Sequence, residues 1–142
     1  MNNTQKNILE ILLTGDLAEI DHLAIALNRF FDDAGIDALV KNQVNLIVEE
    51  LYTNTANYGF QGITNGEVTI TLSLIDGQLE MVYQDNGIAF NPLDIEDPDL
   101  LLGIEDRPIG GLGVFFVKAL TDQVEYSHVG EFNQLKMQKK VY

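Results

Sequence analysis

The sequence contains no cysteine and no tryptophan, and only 3 prolines in 142 residues. Without cysteine there is no disulfide framework and no thiolate metal site, which suits a reducing cytoplasm. Basic residues are scarce as well: 8 Lys and Arg stand against 22 Asp and Glu, a formal charge of −14. Such a surface repels a phosphate backbone, so no nucleic-acid partner is expected. No apolar run approaches the roughly 18 residues of a membrane span. The stretch Ile8–Leu13 is interrupted by Glu10 and followed by Asp16 and Glu19, so neither a membrane partner nor secretion is expected.

What is present looks globular. Hydrophobic residues make up 46% and charged residues 21%, near the averages of folded domains. A chain of this length buries about two thirds of its unfolded surface in one core. The expectation is one acidic, cytoplasmic domain spanning residues 1–142.

Periodicity supplies the elements. Asn7 to Leu13 reads as a first strand, and Asp16 caps a helix whose apolar positions Leu17, Ile20, Leu23, Leu27 and Phe31 recur at helical spacing. Gly35 closes that helix. Asp37 opens a second, running to about Tyr58 with Gly59 as its stop. Val68, Ile70, Leu72 and Leu74 alternate with polar residues, Asp76-Gly77 makes a hairpin turn, and Leu79, Met81 and Tyr83 share one face of the return strand. From Asn86 to Gly113 the period is lost, and a loop of that length in a small domain is a lid or a site. An apolar helix from about Leu112 to Leu120 and two strands near 123–128 and 133–141 follow. The fold class is α+β, a two-layer sandwich with a mostly antiparallel mixed sheet and helices on one face.

Three segments carry chemistry. On the second helix, Val40, Val44, Ile47, Val48, Leu51 and Tyr58 form the expected core stripe. Glu50, Asn54 and Asn57 fall on an adjacent strip. A carboxylate one turn from two carboxamides suits oxygen ligation of Mg²⁺ and proton handling. After the return strand, Asp85-Asn86-Gly87 places an acidic acceptor beside a residue without a side chain, suited to an exocyclic amine and a flat ring. Gly110-Gly111-Leu112-Gly113 leads into a helix, where free backbone N–H groups favour an anion. Arg107 precedes that loop and Lys118 follows it. No Gly-Lys-Ser/Thr occurs, so a Walker loop is excluded, and the glycine spacing is not that of a dinucleotide-binding fold.

In this order and spacing, the three segments resemble the boxes of the histidine-kinase-type (GHKL, Bergerat-fold) ATPases, and in particular the small anti-sigma factor serine-protein kinases of bacteria. The N-box match is Glu50-Leu51-Tyr52-Thr53-Asn54. The first glycine box is Asp85-Asn86-Gly87-Ile88-Ala89-Phe90-Asn91-Pro92, and the second is Arg107-Pro108-Ile109-Gly110-Gly111-Leu112-Gly113.

The resemblance implies ATP as substrate with Mg²⁺ as cofactor. It assigns Asn54 to the metal and Glu50 to the general base toward the acceptor hydroxyl. Asp85 is assigned to the adenine amino group, and Gly87 to the glycine beneath the ring. Gly110, Gly111 and Gly113 frame the phosphates, with Arg107 reaching the terminal one below a lid at about Leu93 to Ile109. Asn57, Ala89 and Leu112 are assigned to the nucleotide with them. Two departures stand out. Tyr58-Gly59 replaces a common His-Gly, which alters packing. Gly130-Glu131-Phe132-Asn133 replaces a Gly-Thr pair, leaving Asn133 as the substitute for a hydroxyl contact to phosphate.

The implied activity is phosphorylation of a serine or threonine on a STAS-type anti-anti-sigma protein, with sequestration of a sigma factor and homodimerisation also implied. A nucleotide-gated regulatory binding module without transfer is the alternative. A complete sensor kinase is not expected at this length, and neither of the two histidines sits in a phospho-acceptor helix pattern.

Overall fold

The computed structural model describes residues 6–94 and 111–141, with Lys6 and residues 111–114 described by their backbone alone. Strand β1 (Lys6–Leu13) leads into helix α1 (Ile20–Ala34) and helix α2 (Ala38–Asn54). Strands β2 (Val68–Ile75) and β3 (Gln78–Asp85) form a hairpin. Helix α3 (Gly111–Leu120) precedes strands β4 (Gln123–Val129) and β5 (Phe132–Lys140).

The caps follow the chemistry of the residues. Asp37 accepts from the Leu39 N–H at 2.8 Å, satisfying a donor that the start of α2 leaves unpaired. Asp16 accepts from the Ala18 N–H at 2.9 Å and caps the short 3₁₀ turn Leu17–Glu19 that runs into α1. Gly35 ends α1 at φ 70°, where a side chain would be strained. Asp76 and Gly77 both have positive φ, the turn whose twist matches its flanking strands.

The five strands lie in the order β1-β2-β3-β5-β4, and every pairing among the described residues is antiparallel. The expected α+β class with a mostly antiparallel sheet holds, and no parallel pair occurs among the described residues. β5 returns from the edge strand β4 to lie against β3, so no parallel pair arises there. Alternate residues of β2 are buried, and they share one core with Leu23, Leu27 and Phe31 of α1 and Val44, Ile47 and Val48 of α2. The register stacks Ile11, Ile70, Tyr83, Leu135 and Tyr126 across all five strands on the helix-covered face. Each large apolar side chain buried there contributes about 1.5–3 kcal/mol. The same register places Asp85 of β3 opposite Asn133 of β5. Two polar residues thus meet on the apolar face at one end of the sheet.

Candidate functional site

Helix α2 brings the first polar groups to that end. Val44, Ile47, Val48 and Leu51 are buried as the spacing requires, and Glu50 and Asn54 lie half-buried beside them. The regular helix stops at Asn54. Residues Thr55–Gly59 form a π turn, in which the Phe60 N–H donates to the Thr55 carbonyl. Such widened turns cluster at functional sites. Buried Thr55 anchors this one: its hydroxyl lies 3.0 Å from the Leu51 carbonyl and 2.7 Å from the Tyr83 hydroxyl. Tyr83 is wholly enclosed, and burial pushes its hydroxyl well above the ordinary tyrosine range, against the bond from Thr55.

The π turn changes the phase of every residue after Thr55. Tyr58, expected in the core stripe, is 43% exposed and lines a cavity instead. Asn57 is exposed and is not among the cavity's lining residues, so the expected strip ends at Asn54. Tyr52 occupies the core in place of Tyr58. It is fully buried, and its hydroxyl donates to the Asp16 carbonyl and accepts from the Gly15 N–H, at 2.8 and 3.1 Å.

The opposite wall is the loop after β3. Asn86 bolts it to the preceding segment, its side chain accepting from the Glu67 N–H at 2.7 Å and donating to the Asn65 carbonyl at 2.8 Å. The Ile88 N–H donates to the Gly59 carbonyl at 2.9 Å, joining the loop to the π turn. Gly87 has no positive φ. It is needed for close approach, because a β-carbon there would lie 2.6 Å from the Gly59 oxygen. Asp85 Oδ1 accepts from the Gly87 N–H at 2.9 Å and from Asn133 Nδ2 at 3.0 Å. Burial raises the Asp85 carboxyl above its ordinary value, and those two bonds oppose the rise.

Asn133 does not serve as a free phosphate contact. Its amide is committed to the Asp85 end, where Nδ2 also donates to the Ile88 carbonyl at 2.9 Å and Oδ1 accepts from the Phe90 N–H and the Tyr126 hydroxyl. The sequence did carry a signal for it. Asn133 alternates with Leu135 and Met137, so the strand period alone puts an amide on the buried face. Thr55, Tyr83 and Tyr126 are cavity residues that no box identified.

Between the two walls lies a cavity of about 270 Å³. Leu51, Ile88, Ala89, Phe90 and Leu135 give it apolar walls, while Asp85 and Asn54 place polar groups on its lining. Asn54 makes no side-chain hydrogen bond among the described residues, leaving its carbonyl oxygen available. Glu50 lies one helical turn earlier and outside the lining. α3 packs beside α2, and Gly111, Leu112 and Gly113 form its first turn, where backbone N–H groups lack intrahelical partners. Arg107, Gly110 and the expected lid beyond Asp94 lie outside the described residues.

The slot thus has apolar walls, a half-buried carboxylate on one of them and an open carboxamide on the helix beside it. Residues 13–139 match the histidine kinase-like ATPase domain family. The chain belongs to that family. It is 28% identical over 111 residues to the serine-protein kinase RsbW of Listeria monocytogenes, covering 71% of this chain and 67% of that protein. To RsbW of Bacillus mycoides it is 29% identical over 94 residues, 60% of this chain and 55% of that one. The crystal structure of the RsbU and RsbW domains of a Mycobacterium tuberculosis protein superposes with a TM-score of 0.68 at 14% identity. It covers 94% of this chain and 32% of the solved one, and shows the shared fold. The histidine kinase domain from Erythrobacter litoralis has a TM-score of 0.55 at 19% identity.

Family membership and these relatives support a protein-serine/threonine kinase that uses ATP. They also support the likeness to the anti-sigma kinases that the boxes imply. Among the described residues no helix is long and apolar enough to cross a membrane.

The donor set fits Mg²⁺. No cluster of three His, Asp or Glu among the described residues would hold an ion alone. Magnesium carried on phosphates takes one or two protein oxygens and keeps its waters. The carboxamide of Asn54, without a hydrogen bond among the described residues, would supply such an oxygen.

Proposed function

We propose that this chain binds Mg²⁺–ATP in the cavity and transfers the terminal phosphoryl group to a serine or threonine of a STAS-type anti-anti-sigma protein. Asp85 accepts from the adenine amino group, while Ile88, Ala89 and Leu135 enclose the ring above Gly87. The phosphates run toward Asn54 and the first turn of α3, where the N–H groups of Gly111, Leu112 and Gly113 complement their charge. By resemblance, Gly110 and Arg107 complete that end. Bound Mg²⁺ neutralises phosphate charge within a strongly acidic protein.

Glu50 accepts the proton of the attacking hydroxyl. The hydroxyl oxygen bonds to the terminal phosphorus, the bond from that phosphorus to the bridging oxygen breaks, and ADP leaves. Asn57, exposed in the π turn, has no part in this assignment. The observation that carries the proposal is the placement of Asp85 and Asn54 on one cavity, with Glu50 a single turn beyond. By the same resemblance the protein acts in the cytoplasm as a homodimer and sequesters a sigma factor.

Labelled ATP with Mg²⁺ and a STAS-domain protein tests this. Glu50→Ala should lower transfer by about a hundredfold or more while ADP still binds. Transfer at the wild-type rate in that variant refutes the base. Nucleotide binding without transfer in the wild type favours the gated module instead.

A further inference from the structure

The amide of Asn133 uses its whole hydrogen-bonding capacity. Two hydrogens on Nδ2 go to Asp85 Oδ1 and the Ile88 carbonyl, and two lone pairs on Oδ1 receive the Phe90 N–H and the Tyr126 hydroxyl. The residue is only 8% exposed. Its orientation is not open to reversal. The Phe90 N–H is a donor that cannot rotate, so the amide oxygen must face it and Nδ2 must face Asp85. The consequence falls on Asp85. Its Oδ1 receives two N–H donors, from Gly87 and Asn133, while Oδ2 has no hydrogen-bond partner among the described residues. With Asp85 on the cavity wall, one oxygen is locked inward and the other is left for a ligand.

We propose that Asn133 is a specificity-determining positioning residue: by holding Asp85 Oδ1 it presents Oδ2 to the cavity as a fixed acceptor, which selects purines with a 6-amino group over 6-oxopurines. This rests on the assignment of Asp85 to the base of the nucleotide. An ionised carboxylate only accepts. A 6-amino group donates to Oδ2, whereas the oxygen of a 6-oxopurine faces it lone pair to lone pair and leaves Oδ2 of a half-buried carboxylate without a donor. Burial works against the ionised form by favouring a proton that would donate to such an oxygen. The N–H groups of Asn133 and Gly87 oppose that protonation. Tyr126 supports the amide from β4, so the arrangement spans three strands.

Binding of ADP and IDP, measured by calorimetry on the intact protein, decides the matter, since the two differ at the purine 6-position and its neighbouring N1. The wild type should prefer ADP. Asn133→Leu should reduce the ADP-to-IDP affinity ratio by about tenfold, beyond any loss common to both. Tyr126→Phe keeps the ring and removes one donor to the amide, so it should reduce the ratio by a smaller factor. That variant decides alone if Asn133→Leu does not fold. In Asp85→Asn, the two inner N–H donors require the new amide oxygen, so its nitrogen faces the cavity and the preference should turn toward IDP. A wild-type ratio retained in both Asn133→Leu and Tyr126→Phe overturns the proposal and leaves the ATP site standing. Equal affinity of the wild type for ADP and IDP, or binding of neither, removes the assignment of Asp85 and this inference with it.

Discussion

The carbonyl oxygen of Gly59 lies 2.6 Å from where a β-carbon on Gly87 would sit. The π turn and the loop after β3 therefore touch backbone to backbone. In Gly87→Ala neither side has a flexible side chain to move, and the added carbon also meets Asp85 Oδ1 at 2.9 Å. Overpacking of this kind costs about 1–3 kcal/mol. Urea unfolding should show that loss, together with weaker ADP binding. A variant with wild-type stability and affinity would mean that the two segments separate freely.

Asn54 should act on the metal alone. Asn54→Ala is expected to bind ATP with the same affinity whether Mg²⁺ is present or chelated, whereas the wild type binds more tightly with the ion. Calorimetric titrations under the two conditions make the comparison. A Mg²⁺ dependence unchanged in the variant removes Asn54 from the site.

Asp85 sets function against stability. The folded protein holds its carboxyl proton to a higher pH than the unfolded chain does, chiefly through burial. Stability from this group is full below the unfolded value, about 3.9, and is lost as pH rises through the folded one. At pH 7 the ionised form carries that cost. Asp85→Asn should therefore unfold at a higher urea concentration than the wild type at neutral pH, with the margin vanishing in acid. A variant less stable than the wild type at pH 7 would show that the bonds from Gly87 and Asn133 outweigh burial.

Two enclosed tyrosines predict alkaline sensitivity. Tyr52 is pushed up to about 12, mainly by burial and then by nearby Glu19. Tyr83 is raised well above its ordinary value, again by burial. Unfolded tyrosines ionise near pH 10 while these keep their protons, so stability should decline above that pH. The slope is about 1.4 kcal/mol per pH unit for each such group. Tyr52→Phe should flatten the decline measured by urea unfolding. An unchanged slope contradicts the shift at Tyr52.

What could be read in advance divides along physical lines. The β2–β3 hairpin and the C-terminal limit of α1 were legible because period-two alternation, Asp76-Gly77 and Gly35 are all local signals, whereas Asp16 marks the 3₁₀ turn Leu17–Glu19 and α1 itself starts at Ile20. The exchange of Tyr58 for Tyr52 in the core was not. It depends on a π turn held by Thr55, whose partner Tyr83 stands 28 residues away. Helical spacing assumes a constant pitch, and Asn57 was misplaced for the same reason. Alternation likewise tells which face a strand residue takes but not which strand lies beside it, so the antiparallel β3–β5 pairing emerged only in three dimensions. The three boxes were recognisable because their order along the chain survives whatever brings them together. The role of Asn133 depends on its register with Asp85, and so it belongs to the sheet.

One titration bears most directly on the central claim that these segments form a magnesium–ATP site. Isothermal calorimetry of the folded wild-type protein with ATP should give a saturable isotherm of one nucleotide per chain, tightened by Mg²⁺. An isotherm without binding heat across several temperatures, from protein whose circular dichroism shows it folded, would contradict it.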